Sequence, residues 1–111
     1  MANSAGDSAL ISRATLAQAE AGLEGGDAEK ALKLALIAEE RFAKGAQLES
    51  QWRAAVIAAR ASQRLGDNNK AVEQFAQGKN ILRQLQEKWG DEAYKGYISR
   101  PDIQIYHKEL G

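Results

Sequence analysis

Apolar and small side chains recur every three or four residues along most of this chain, which is the spacing of one face of an α-helix. The clearest stripe is Ala71, Phe75, Gly78, Leu82, Leu85 and Trp89. A stripe near the start is Leu10, Ala14, Ala17 and Ala21. Proline, the strongest helix breaker, occurs only at Pro101. The pattern therefore predicts an all-α protein.

One short segment recurs forty residues later, which indicates an internal repeat. Gly26-Asp27-Ala28-Glu29-Lys30-Ala31 is echoed by Gly66-Asp67-Asn68-Asn69-Lys70-Ala71. Glycine just past a helix end adopts the left-handed conformation cheaply, and the aspartate after it can cap the next helix. The echo predicts two helical hairpins, at residues 8–45 and 46–90, because such units must stack to bury their apolar faces.

Within these hairpins the glycines at helix ends and the capping aspartates predict four helices, at about residues 8–24, 27–44, 47–65 and 68–89. Gly45 is expected to close the second helix as Gly26 and Gly66 close the first and third. Gly78 lies on the apolar stripe of the fourth helix. A glycine there predicts a close contact between helices, or else marks a weak point in the helix.

The two ends of the chain break the repeat. Residues 1–7 are small and polar and are interpreted as a flexible leader. After Gly90, Asp91 is expected to cap a short helix, and the Ser99 to Asp102 segment has the spacing of a capping box for a second one. Residues 91–111 are therefore predicted to form C-terminal capping helices over the end of the fourth helix.

Composition and charge narrow the functional classes. Fifteen basic residues balance fifteen acidic ones, so no net field draws the chain to nucleic acid or to an anionic membrane. Aromatic residues are not interleaved with arginines as a base-stacking platform requires. The longest apolar run is Ala54 to Ala59, far short of a membrane span, and the N-terminus lacks a secretion signal. These features predict a soluble, cytoplasmic protein without nucleic-acid or membrane partners.

No constellation for catalysis is visible in the sequence, and no cofactor is expected. The chain has no cysteine and a single histidine, His107, so neither a two-histidine metal site nor a cysteine–histidine pair can form within it. Gly25 and Gly26 lack the lysine and hydroxyl residue that complete a phosphate-binding loop. The interpretation is a non-enzymatic protein without a metal site.

The residues at the helix crossings resemble the tetratricopeptide repeat (TPR) family, in its longer-period variety of about forty residues. Four positions of the first hairpin and their equivalents in the second, forty residues later, match small or aromatic positions of that family. These pairs are Ala19 and Ala59, Ala31 and Ala71, Ala35 and Phe75, and Ala38 and Gly78. The resemblance implies an α-α superhelix of two TPR-like hairpins. The segment from Leu82 to Gly90, with Arg100-Pro101-Asp102, is similar to the end of repeat regions in larger bacterial signalling proteins.

The same resemblance implies a concave face lined by the first helix of each hairpin, and hence a partner-binding site. Projected onto this chain, that face carries Arg13, Leu16, Glu20 and Leu23 of the first helix and Arg53, Val56, Arg60, Gln63 and Arg64 of the third. The residues taken as the partner-binding site are Arg13, Glu20, Arg53, Val56, Arg60, Gln63 and Arg64. The three arginines of the third helix are seven and four residues apart and so share one stripe. They predict a site for a carboxylate-bearing peptide or an acidic helix. The alternative is a solvated face partly neutralised by Glu20 or Glu24.

Two functions remain as hypotheses. The first is a protein–protein interaction module, a scaffold that binds a peptide or helix on the concave face. The second is homodimerisation, as part of a larger signalling protein, because two hairpins are fewer than the roughly three repeats a solenoid usually needs. Exchange of terminal helices or stacking of the fourth helix would then complete the core. Trp52 is interpreted as a packing residue rather than a ligand anchor.

Overall fold

Six α-helices follow one another in the computed structural model, which describes the backbone of residues 5–110 and the side chains of residues 13–110. They are α1 (Ala5–Glu24), α2 (Ala28–Lys44), α3 (Leu48–Arg64), α4 (Asn68–Trp89), α5 (Asp91–Ile98) and α6 (Pro101–Glu109). Consecutive helices pack antiparallel. The all-α prediction is confirmed. Residues 1–4 of the expected leader and residue 111 of the expected cap lie outside the described residues.

The third helix is the centre of the molecule, since α1, α2, α4 and α6 all contact it. From Ser50 to Ser62 every residue is buried except Arg53 and Arg60, which are half-buried. Five alanines in this stretch let the neighbouring backbones approach on several sides. The core is completed by larger side chains from other helices, among them Leu23, Phe42, Ile81 and Leu85.

The repeated turn segment behaves as its sequence predicts. The Asp27 carboxylate accepts a hydrogen bond from the backbone N–H of Lys30 at 3.2 Å, and Asp67 accepts one from Lys70 at 3.1 Å. The preceding glycines, Gly26 and Gly66, have φ angles of +89° and +83°. Both turns thus combine a left-handed glycine with an aspartate cap, which confirms the predicted turn and cap geometry.

The turn between α2 and α3 differs from the prediction for Gly45. Gly45 has a φ of −87°, and the left-handed residue is Ala46, with a φ of 56°. The residue that must adopt positive φ is therefore the one after the glycine, and it carries a Cβ. An L-residue in this conformation is strained by about 1–2 kcal/mol.

Replacing Ala46 by glycine is expected to stabilise the protein by about 1 kcal/mol, because glycine adopts positive φ without the Cβ clash. The matched control is Gly66→Ala, which should destabilise by about the same amount. An added Cβ at Gly66 meets no atom within 4 Å, so only the backbone term changes. Urea unfolding curves measure both differences. Equal midpoints for Ala46→Gly and the unaltered chain would contradict this account of the turn.

The first helix buries a different face from the one predicted. Leu16, Ala19 and Leu23 are buried, whereas the predicted Ala14, Ala17 and Ala21 are exposed. The side chain of Leu10 lies outside the described residues. The prediction for this stripe is wrong because two leucines bury far more apolar area than three alanines. The helix also begins at Ala5, so residues 5–7 are helical rather than part of a leader.

Gly78 marks a close contact between helices, as expected from its place on the α4 stripe. A Cβ added there would lie 3.7 Å from the Trp52 carbonyl oxygen and 3.8 Å from Val56 Cγ2. It would lie only 3.3 Å from Leu110 Cδ2. The missing side chain thus lets α3 and the end of the chain meet α4 at one point.

The short helices at the C-terminus begin without the predicted side-chain caps. The N-cap of α5 is Gly90, and Asp91 instead accepts a hydrogen bond from the Gln86 side chain at 3.1 Å. Ser99 Oγ donates to the Lys95 carbonyl at 2.7 Å, while Arg100 holds the Asp102 carboxylate at 2.8 and 3.2 Å. The capping-box prediction is therefore wrong. The turn directs α6 back onto α3.

Candidate partner-binding groove

Two arginines of α3 face α6, and this strip of α3 is the candidate site. We call it the α3 groove: Trp52, Arg53 and Arg60 on α3, with Glu20 of α1 beside them. On the α6 side, three apolar or aromatic side chains are buried and one glutamate pairs with Arg60. These residues are, in chain order, Ile103, Tyr106, Glu109 and Leu110. Their spacing of three, three and one places them on one side of the helix.

Tyr106 is the aromatic centre of the contact. Its ring packs edge-on against Trp52, with centroids 6.0 Å apart, and the Arg53 guanidinium lies 5.0 Å from its centroid. Burial raises the pKa of Tyr106 to about 12, and the neighbouring Glu20 carboxylate adds to the rise while Arg53 opposes it. Glu20, Arg53 and Tyr106 are thus brought together from three helices.

Arg53 has a hydrogen-bonding group to spare. Its Nε is buried and has no hydrogen-bond partner among the described residues. A buried N–H of a charged group without an acceptor is costly. The cation–π contact with Tyr106 offsets part of this cost. Arg53 therefore keeps one buried N–H without an acceptor among the described residues.

Arg60 makes the ionic contact of the groove. Its Nε lies 3.1 Å from Glu109 Oε1, and the two side chains are 30% and 39% exposed. Pairs with this exposure are partly screened by water and contribute about 1 kcal/mol or less. The pair fixes the end of α6 over the C-terminal half of α3.

The other residues of the predicted site have different environments. Val56 is fully buried and belongs to the α3–α4 contact. Arg64 donates from a guanidinium nitrogen to the Leu23 carbonyl and so ties the end of α3 to α1. Arg13 and Gln63 are exposed. The structure therefore brings together Glu20, Arg53 and Arg60 and separates them from Arg13, Gln63 and Arg64.

Trp52 is a packing residue, as predicted. It is fully buried, and its Nε1 donates to the Tyr97 hydroxyl at 3.0 Å. Tyr97 in turn meets the edge of Trp89, with ring centroids 5.1 Å apart. Burial raises the pKa of Tyr97 to about 12, with the Trp52 hydrogen bond opposing that rise. This aromatic cluster anchors α5 and α6 to α3.

Sequence reasoning missed that α6 covers the predicted binding face. It placed residues 91–111 over the end of the fourth helix and gave no role to Glu109. A signal was present, because Ile103, Tyr106 and Leu110 form an amphipathic stripe and Glu109 lies beside it. The stripe shows that α6 docks, but the helix that receives it depends on the turn after α5.

Comparisons with protein-family models, curated proteins and solved structures gave no match to this chain. The site is therefore interpreted from its geometry alone. Among the described residues, no three acidic, histidine or cysteine side chains are grouped to hold a metal ion. No helix in the same part of the chain is both long and apolar enough to cross a bilayer.

Proposed function

We propose that this chain is a non-catalytic protein–protein interaction module that binds a helix of a partner along the α3 groove. In this proposal it is a TPR-like α-α superhelix of two hairpins with C-terminal capping helices. The matched turns at Asp27 and Asp67 support the repeat, as do the buried small residues Ala31 and Ala71 at equivalent places.

The observation that carries the proposal is the docking of α6 itself. An amphipathic helix with a tyrosine, a glutamate three residues later and then a leucine lies on α3. The partner we propose has the same chemistry: an acidic amphipathic helix with an aromatic residue one turn before a carboxylate. Arg53 and Arg60 would then serve as its cationic contacts.

In the isolated chain α6 competes with such a partner as a tethered ligand. A tethered segment has an effective concentration in about the millimolar range, so it lowers the apparent affinity of a free helix. Weakening the docking of α6 should therefore strengthen binding of the free helix. This consequence tests whether the strip of α3 that α6 occupies can bind a helix supplied as a separate molecule.

The experiment titrates a fluorescein-labelled peptide of residues 99–110 into the full chain and follows anisotropy. We compare the unaltered chain with the double variant Tyr106→Ala/Glu109→Arg, called the undocked variant. Losing a buried aromatic side chain is worth about 3 kcal/mol or more, and 1.4 kcal/mol is about tenfold in affinity. We expect the undocked variant to bind the peptide at least about tenfold more tightly.

Circular dichroism serves as the folding check, because α1 to α4 should keep their helicity in the undocked variant. Equal affinities for the two chains, or no saturation with either, would count against the proposal. If the double variant fails to fold, Glu109→Arg alone provides the comparison, with a smaller expected gain.

Self-association is the second candidate, and the same contacts favour it. The α6 of a second copy could make the Arg60–Glu109 and Arg53–Tyr106 contacts equally well, through exchange of terminal helices. Sedimentation from low to high micromolar concentration decides between the two. The interaction module predicts a constant monomer mass. Exchange would be favoured instead if the mass of the unaltered chain rises toward that of a dimer while the Glu109→Arg variant stays monomeric.

A further inference from the structure

A second polar site lies away from the α3 groove, between α2 and α4. It is a cavity of about 370 Å³. Its lining residues are Leu36, Glu39, Glu40, Ala43, Gln51, Glu73, Gln74 and Gln77. Three of them are acidic and none is basic. Gln51 comes from the side of α3 opposite to Arg53, Val56 and Arg60, as the 3.6-residue turn of a helix requires.

Gln51 of α3 lines the cavity with its side-chain amide. The residue as a whole is only 9% exposed, but its amide atoms are not among the buried, unpaired polar atoms of the described residues, so they keep contact with water. The amide of this largely buried side chain is therefore held in place and available to a ligand that enters the cavity.

The wall of the cavity holds a half-buried carboxylate that has no cation beside it. With its amide nitrogen facing Glu39, Gln74 donates to the two carboxylate oxygens at 3.0 and 3.2 Å. No basic side chain of the described residues pairs with Glu39. Desolvation raises the pKa of Glu39 to about 7. The neutral amide orients the carboxylate but supplies no compensating charge.

The neighbouring acids add to the demand for positive charge. Glu40 lies on the same helix and pairs at 3.3 Å with Lys44, both side chains being well exposed. Glu73 faces the cavity from α4, and α3 contributes the uncharged Gln51. Leu36 and Ala43 provide an apolar wall on which methylene groups can lie.

We propose that this cavity binds an organic cation with an alkyl stem, such as the guanidinium or ammonium group of an arginine or lysine side chain. Glu39 is the counter-ion, and the Gln51 carbonyl accepts a second hydrogen bond from the cation. A guanidinium group has five N–H donors, enough for both acceptors at once. The proposal does not depend on the α3 groove, which lies on the other side of α3.

Two probes test the proposal by calorimetric titration of the full chain at pH 8. One is agmatine, a free alkylguanidinium, and the other is a blocked glycine–arginine–glycine peptide. We expect saturable one-site binding, weakened at least about tenfold by Glu39→Gln because the charge-assisted bonds are lost. Gln51→Leu should also weaken binding. Glu29→Gln is the matched control, since Glu29 is an exposed acid of α2 outside the cavity.

Each outcome has a defined meaning. If agmatine binds more tightly than the peptide, the ligand is a small organic cation. If the peptide binds more tightly than agmatine, the ligand is a side chain of a partner protein. Either result upholds an organic-cation site. No saturation by either probe up to about 10 mM, or equal affinity for the unaltered chain and Glu39→Gln, would overturn it.

The pH dependence gives an independent check. A carboxyl whose pKa is near 7 loses most of its charge between pH 8 and pH 6, so cation affinity should fall about tenfold over this range. The dependence should disappear in Glu39→Gln and persist in Glu29→Gln. The same dependence in Glu39→Gln would show that another group is responsible and would overturn the role of Glu39.

Discussion

Replacing Trp52 by alanine is expected to lower the free energy of unfolding by about 4 kcal/mol. The indole is fully buried, meets the rings of Tyr97 and Tyr106 and donates to the Tyr97 hydroxyl. Its removal leaves a cavity at the junction of α3, α5 and α6, and the Tyr97 hydroxyl loses its hydrogen-bond donor. Since domains are stable by about 5–15 kcal/mol, this is a large share of the total.

Urea unfolding followed by circular dichroism measures this loss, and two variants interpret it. Trp89→Ala removes a tryptophan that is 37% exposed and has one ring contact, so we expect a loss of about 1 kcal/mol. Tyr97→Phe removes only the hydrogen bond and should also cost about 1 kcal/mol. A Trp52→Ala loss no larger than that of Trp89→Ala would contradict the central place of Trp52 in the core.

The second large effect is expected in binding. In the undocked variant, Arg53→Ala/Arg60→Ala should weaken binding of the 99–110 peptide by about 10- to 100-fold. The cation–π contact of Arg53 contributes about 1–2 kcal/mol when desolvated, and the Arg60 ion pair adds up to about 1 kcal/mol. The salt dependence of binding should also become shallower, because screening acts on the charges removed.

Arg64→Ala is the matched control for this prediction. Arg64 is an arginine of the same helix and the same predicted stripe, but it donates to the Leu23 carbonyl instead of facing α6. We expect peptide affinity within about twofold of the undocked variant and a measurable loss of stability. An affinity loss from Arg64→Ala equal to that of the double variant would show that the groove extends beyond Arg60.

Much of the fold could be predicted because its signals are local. The aspartate caps and left-handed glycines of the two equivalent turns depend on a few adjacent residues, and they were found where the echo placed them. The α4 stripe is carried by large apolar residues at one clear period, and Leu82 and Leu85 are buried accordingly. The break after Gly90 was visible because the repeat ends there.

The buried face of α1 and the turn between α2 and α3 could not be predicted, because they depend on contacts between residues far apart in the sequence. Along α1 both the alanine stripe and the Leu16, Ala19, Leu23 stripe have helical spacing, so period alone does not choose the buried face. At the second turn, the choice between Gly45 and Ala46 depends on how α3 enters the core.

The candidate site was predictable only in part for the same reason. That Arg53, Arg60 and Arg64 share a stripe follows from their spacing. The Leu23 carbonyl that receives Arg64 is 41 residues away, and the Glu109 that pairs with Arg60 lies on a helix whose path depends on the turn after α5. The spacing places the three arginines on one stripe, but contacts between distant residues decide which of them face α6 and which contacts α1.

The most direct test of the central claim is a charge swap between chain and peptide. Two full chains, Arg60→Glu and Glu109→Arg, each place like charges between α3 and α6. Each is titrated with the native 99–110 peptide and with the same peptide carrying Glu109→Arg. If the α3 groove binds a helix through Arg60, the native peptide prefers the Glu109→Arg chain and the altered peptide prefers the Arg60→Glu chain, each by about tenfold. Equal binding of both peptides to both chains would contradict the claim.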